Sequence, residues 1–211
     1  MKLAFINGSP KAKDSASESI LKGLKNLFAN DEMISEYHFR TPHVDNKHLE
    51  QIAECNVIAI AFPLYVDGIP SHMISCLSKM ETFFYASPKH NIKVYALVNS
   101  GFYEGKQNSL ALEMVENWCE KSGLTWGQGI GIGAGGMLPM ISNVPYGKGP
   151  KKNLGEALKN LSNNISSYSR GENIFITPNF PRIAYKLSAE AGWRQKIKSN
   201  GLSKKDLFLR K

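Results

Sequence analysis

The chain has 211 residues, 42% of them hydrophobic and 21% charged, with a formal net charge of +8. That length supports one sizeable core, and no run of 18 or more apolar residues is present to cross a membrane. Cys55, Cys76 and Cys119 are far apart and form no Cys-x-x-Cys, so neither a zinc centre nor a cysteine-ligated iron–sulfur cluster is encoded.

In chain order, Lys2 to Ile6 reads as a short buried strand. A small polar loop follows, Asn7-Gly8-Ser9-Pro10-Lys11 and then Asp14-Ser15-Ala16-Ser17. Behind it Ile20, Leu21, Leu24, Leu27 and Phe28 recur at helical spacing. A strand, a tight loop and a helix gather free backbone N–H groups at the positive end of a helix dipole, which attracts an anion such as a phosphate. Ser9, Ser15 and Ser17 add hydroxyl donors and Lys11 adds a full charge. The plainer alternative is that Ser15 and Ser17 compete for the N-cap. The loop is neither a Walker A sequence nor a Gly-x-Gly-x-x-Gly dinucleotide fingerprint.

Glu36 to Phe39 is predicted to form a second strand and Leu49 to Ala53 a short helix. Val57 to Phe62 is a continuous apolar run, the pattern of a central parallel strand. It ends in the loop Pro63-Leu64-Tyr65-Val66-Asp67-Gly68, and Pro70 starts a helix. Val94 to Val98 is a further strand, ending in Asn99-Ser100-Gly101-Phe102-Tyr103-Glu104. A helix closes near Gly123, and Trp126 to Gly133 reads as a glycine-rich strand. Gly135 to Pro139 is expected as a loop, and Leu154 to Tyr168 as a last helix with Asn153 as its N-cap. Five strands alternating with helices make an α/β fold with a parallel sheet and right-handed crossovers. The ligand is expected outside the carboxyl ends of the strands, where the loops after the first, third and fourth strands converge.

Gly131-Ile132-Gly133-Ala134-Gly135-Gly136 matches Gly-x-Gly-x-x-Gly formally. It comes late in the sheet, and Pro139 argues against a helix starting there, so it reads as a close-packed edge of the site mouth. His38, His43, His48, His72 and His90 lack ligand spacing, and no metal is expected; only His72, after the Pro70-Ser71 turn, falls near the converging loops. From Arg182 onward nine basic residues face only Glu190 and Asp206, giving +7 of the chain's +8. Trp193, Ile197, Leu202, Leu207 and Phe208 in the same stretch read as packing residues under a solvated basic face, rather than as a contact for nucleic acid or an acidic membrane surface.

Three motifs resemble the flavodoxin-like NAD(P)H-dependent FMN reductases: Gly8-Ser9-Pro10-Lys11 with Ser15 and Ser17, Pro63 to Pro70, and Asn99 to Glu104. The resemblance spans roughly Met1 to Tyr168. Family members usually carry arginine at the position of Lys11 and often asparagine at Ala16; lysine keeps the charge and loses the bidentate fork. The resemblance implies a flavodoxin-like, doubly wound, five-stranded parallel sheet. An FMN-binding domain would cover 1–176, and a basic helical extension over 177–211 would pack on the body or on a second subunit.

It further implies FMN with its phosphate on Ser9, Lys11, Ser15 and Ser17. The ring would lie against Pro63, Leu64, Tyr65, Val66, Asp67 and Gly68, and its other edge against Asn99, Ser100, Gly101, Phe102 and Glu104. The alternatives stay open here: Tyr65 packs on a neighbour, Phe102 and Tyr103 cap the sheet, and Glu104 is solvated. NADPH or NADH would supply electrons and a flavin, quinone, nitro or azo compound would accept them, with no catalytic side chain. The competing reading is a flavodoxin-type electron carrier without its own nicotinamide turnover. A homodimer or homotetramer in the cytoplasm is expected, on the resemblance, the free thiols and the lack of a signal-peptide layout.

Overall fold

A computed structural model describes residues 1–28, 32–86, 91–203 and 205–206. His90, Lys204, Leu207, Phe208, Arg210 and Lys211 lie outside the described residues. The chain falls into two compact units, Met1–Pro178 and Asn179–Lys211.

In the first unit the strands are β1 (Lys2–Asn7), β2 (Met33–His38), β3 (Val57–Pro63), β4 (Lys93–Asn99), β5 (Thr125–Ile132) and β6 (Ile174–Ile176). The helices are α1 (Ala16–Lys25), α2 (Asn46–Ala53), α3 (Ser71–Ala86), α4 (Ser109–Lys121) and α5 (Lys152–Ser166). All strand pairs are parallel, in the order β2-β1-β3-β4-β5-β6. The sheet therefore has six strands where five were predicted. The extra one is three half-buried residues beside Ile130–Ile132, too short to leave a periodic signal.

Both faces are covered. Leu3, Phe5, Val57, Ala59, Ala61, Tyr95 and Leu97 meet α1 and α5 on one side. Ala4, Ile6, Ile58, Ile60, Phe62, Val94, Ala96 and Val98 meet α2, α3 and α4 on the other. This explains why β3 and β4 read as unbroken apolar runs: neither face reaches water. Each fully buried Leu, Ile or Phe contributes about 1.5–3 kcal/mol.

Two local expectations are corrected. Gly135–Ile141 forms a 3₁₀ helix with Pro139 inside it, not a loop; the α-helix that follows begins only at Lys152. Asn153 does not cap α5, because Lys151 occupies the cap position and Asn153 lies inside the first turn. Its Nδ2 instead donates to the Thr177 carbonyl at 2.9 Å, tying α5 to the segment after β6.

The glycines just past β5 and in the loop after β4 answer a packing demand. A Cβ on Gly133 would lie 2.1 Å from the Tyr103 carbonyl oxygen, and one on Gly105 would lie 2.4 Å from those of Gly131 and Ile176. Strand and loop thus meet backbone to backbone.

In the second unit α6 (Arg182–Ser199) has no buried residue. Its apolar residues Ile183, Leu187, Trp193 and Ile197 share a side with Lys186, Glu190 and Arg194, so the uninterrupted apolar stripe expected there is absent.

Gly133→Ala should lower stability by about 3 kcal/mol, since the opposing atoms are main chain and cannot rotate away. Gly136→Ala, where a Cβ meets nothing within 4 Å, should change it by less than about 0.5 kcal/mol. Urea midpoints of the two variants make the comparison.

Candidate functional site

The sheet order reverses at β1, whose chain leaves toward one face while β3 leaves toward the other, and doubly wound sheets place a crevice at the carboxyl ends of two such strands. Four segments border it: the loops after β1, β3 and β4, and the 3₁₀ helix after β5.

The loop after β1 is held from three directions. Asn7 Oδ1 accepts from the Ser9 amide at 3.0 Å, a local turn that bends the chain away from the strand. The Gly8 amide donates to the Ala61 carbonyl at 2.8 Å, and His72 Nε2 donates to the Gly8 carbonyl at 3.1 Å. A Cβ at Gly8 would fall 2.9 Å from Met73 Sδ and 3.1 Å from Phe62 Cβ, so the loop lies flat on α3 and β3.

The three serines are all buried and all accept. Ser9 Oγ takes the Lys11 amide at 3.3 Å, Ser15 Oγ takes the Glu18 amide at 3.0 Å, and Ser17 Oγ takes Asn99 Nδ2 at 2.9 Å. The capping alternative is therefore realised at Ser15, which is the N-cap of α1. Capping does not spend the hydroxyl. Each serine uses a lone pair in these bonds and keeps its hydrogen for another acceptor. Lys11 is exposed at the rim.

Tyr146 fixes α1 from behind. Its hydroxyl donates to the Ser19 carbonyl at 2.6 Å, and burial pushes its pKa up. Lys151 Nζ lies 4.8 Å from the Tyr146 ring centre, and burial lowers the Lys151 pKa.

After β3 the chain makes a tight reversal. Tyr65 and Gly68 exchange both backbone hydrogen bonds, at 3.0 and 3.1 Å. Val66 and Asp67 between them have φ of 49° and 57°, the left-handed pair of a type I′ turn. A β-branched residue in that region is strained, and Val66 is fully exposed, so packing does not compensate. Strain of this kind concentrates where geometry serves a purpose other than stability.

The amides of Leu64, Tyr65 and Gly68 are consumed internally, Leu64 by the Asn99 carbonyl at 2.8 Å. Among the described residues those of Val66 and Asp67 make no hydrogen bond, so the loop offers two donors. Tyr65 is itself half exposed, and at Gly68 a Cβ would make only ordinary contact with Met114.

Asn99 has a different place from the one foreseen. Its Nδ2 gives one hydrogen to Ser17 Oγ and the other to the Phe62 carbonyl, at 2.9 and 3.0 Å. A Cβ at Gly135 would touch its side chain at 2.9 Å. The amide is thus spent as a brace and has no hydrogen left for a ligand oxygen.

Ser100 is buried. Its Oγ faces Asn108 Nδ2 at 3.4 Å, and its carbonyl accepts from the Gly135 amide at 2.7 Å. Asn108, completely buried, also reaches the Gly105 and Ile132 carbonyls, at 2.9 and 3.3 Å, and its Oδ1 has no partner. Gly101 has open space around its Cβ direction, Phe102 projects into solvent and Glu104 is half buried. Asn7, Asn108 and the Gly133–Tyr103 contact were not read from the sequence; an asparagine directly after an apolar strand was the one available signal.

The thiols play no part in such a site. Burial pushes Cys76 up to about 11 and raises Cys55 and Cys119 as well, so none supplies a thiolate near neutral pH. Among the described residues no cluster of His, Cys, Asp or Glu could hold a metal ion.

No protein-family model and no curated protein matches the chain. Solved structures do match. A protein described as an NADPH-quinone reductase from P. pentosaceus is similar with a TM-score of 0.56 at 13% identity, over 78% of this chain and 97% of that one. An azoreductase from Bacillus anthracis str. Sterne gives 0.51 at 15%, over 80% and 99%. A flavodoxin from the domain Archaea gives 0.51 at 14%, over 80% and 98%. The fold is flavodoxin-like.

In a flavodoxin-like sheet the crevice at β1 and β3 is the ligand position, and the donors found there suit a phosphate monoester joined to a flat ring. Three hydroxyl hydrogens, the N-terminus of α1 and the Lys11 charge gather on the first loop. Two unspent amides and the exposed Tyr65 and Phe102 flank the ring side. FMN fits that set: an anion among serines, an acceptor-rich ring edge beside amides.

Asn99→Leu should cost about 2–3 kcal/mol, because Ser17 and the Phe62 carbonyl both lose their donor in a buried position. Val66→Asn, which tolerates φ near +50°, should raise stability by about 1 kcal/mol. Urea denaturation reads both; equal midpoints for the three proteins would contradict the brace and the strain together.

Proposed function

We propose that this chain is an FMN-dependent NAD(P)H oxidoreductase. What supports the reading is that the loops after β1 and β3 carry three buried serines that act as acceptors and keep a hydroxyl hydrogen, and a strained turn with two amides unpaired among the described residues. Bound FMN would supply the redox chemistry, taking hydride from NADPH or NADH and passing electrons to a small acceptor: a flavin, quinone, nitro or azo compound.

The protein's own work is then binding and orientation. Ser9, Ser15 and Ser17 donate to the phosphate while Lys11 neutralises it. The Val66 and Asp67 amides donate to the acceptor-rich edge of the ring, favouring negative charge there. Asn99 holds the phosphate loop, the end of β3 and the 3₁₀ helix after β5 in fixed relation, and Ser100 and Gly101 border the ring side. Pro63, Leu64, Tyr65, Gly68, Phe102 and Glu104 line the approach. No side chain acts as acid or base in this scheme. The similar structures described as a quinone reductase and an azoreductase name activities of this class and support it.

The archaeal flavodoxin match supports a second reading, an electron carrier. The turnover assay separates the two.

The purified protein should be yellow, and Ser9→Ala/Lys11→Ala should weaken FMN binding at least about tenfold, removing one charge-assisted hydrogen bond and one neutralising charge. Fluorescence titration of FMN measures it; equal affinity for both proteins contradicts the phosphate site. Steady NADPH or NADH oxidation with a quinone or azo acceptor supports the enzyme, and FMN binding without turnover supports the carrier.

A further inference from the structure

Helix α6 is the place where the charge of the chain collects and where Ile183, Leu187 and Trp193 stay exposed. Between Arg182 and Ser199 stand five basic residues against one acidic one, and none of the eighteen residues is buried. Spacings of three and four residues put Ile183, Lys186, Leu187, Glu190, Trp193, Arg194 and Ile197 on one side. Arg182 and Lys198 border it. The opposite side carries Tyr185, Ser188, Gly192, Gln195 and Ser199, with Lys196 at its edge. Ile183, Leu187 and Trp193 are 76%, 61% and 67% exposed.

Burying this side in a protein interface would strand Lys186 and Arg194 away from water, which is costly with only Glu190 beside them. A nucleic acid would match the charge, yet it offers nothing to Ile183, Leu187 and Ile197. The headgroup layer of a bilayer satisfies both halves at once. Aliphatic and indole groups enter the acyl boundary, and lysine and arginine stems lie along it with their charges at anionic headgroups. We propose that α6 docks this protein on an anionic lipid surface. The inference does not depend on the cofactor.

The test uses the full chain with vesicles of phosphatidylcholine alone and with about 30% phosphatidylglycerol, enough anionic lipid to set a strong surface potential. Co-sedimentation gives the partition coefficient. Tryptophan emission gives the site, since Trp118 and Trp126 are buried and only Trp193 is exposed. Binding is expected to the anionic vesicles alone, with a blue shift of the emission and at least tenfold weakening in ~0.5 M salt. Lys186→Gln/Arg194→Gln/Lys198→Gln should bind about a hundredfold more weakly, as each basic residue near such a surface is worth roughly a factor of five. Trp193→Ser should lose the shift while leaving the thermal midpoint unchanged.

The proposal is overturned if anionic vesicles are not bound, or if binding is unaffected by both salt and the triple variant. It is equally overturned if short double-stranded DNA binds more tightly than the vesicles, or if Trp193 shifts only with protein concentration. Were the triple variant to misfold, the salt dependence and the Trp193 shift of the unaltered chain still decide.

Discussion

Two hydrogen bonds from one side-chain amide hold the crevice in register. Asn99 ends β4, and its Nδ2 reaches the first turn of α1 at Ser17 and the end of β3 at Phe62. Its own carbonyl receives the Leu64 amide. A buried asparagine is tolerated only when its hydrogens are matched, and here both are, at about 3 Å. The sheet fixes the strands, but the loops beyond their ends have no ladder to align them. Asn99 supplies that alignment.

The same economy recurs around the crevice. Ser9 and Ser15 satisfy backbone amides and keep a hydrogen each. On the far side Gly131 and Gly133, at the end of β5 and just past it, give up side chains so that the Tyr103–Gly105 segment can press against them. That contact sets how close the loop after β4 stands to the sheet. Polar groups near the site are mostly paired internally in a way that leaves one direction open, which a binding site needs and a packed core does not. Asn108 Oδ1 is the exception, buried and without a partner.

Much of the architecture was legible in the sequence because parallel strands covered on both faces leave unbroken apolar runs, as Val57 to Phe62 does. The helices of the first unit announced themselves by spacing. β6 was missed because three residues carry no period. The 3₁₀ helix at Gly135–Ile141 was missed because glycines and a proline read as loop. At the crevice the residue types were readable and their partners were not. Nothing in the string Asn99-Ser100-Gly101 says that the amide turns inward to Ser17 rather than outward. The positive φ of Val66 was hidden because valine is the residue least suited to it, so the chain there contradicts its own propensity. On α6 composition suggested an apolar stripe, and the positions of Lys186, Glu190 and Arg194 deny it.

The turn at Tyr65–Gly68 has a further consequence. Its conformation is closed by two backbone bonds and held at unfavourable angles before any ligand arrives. A floppy loop would surrender its freedom at the moment of capture, weakening the complex by that entropy. Here the loss is borne during folding instead, and under the proposed function the amides of Val66 and Asp67 would meet an incoming ring already aimed.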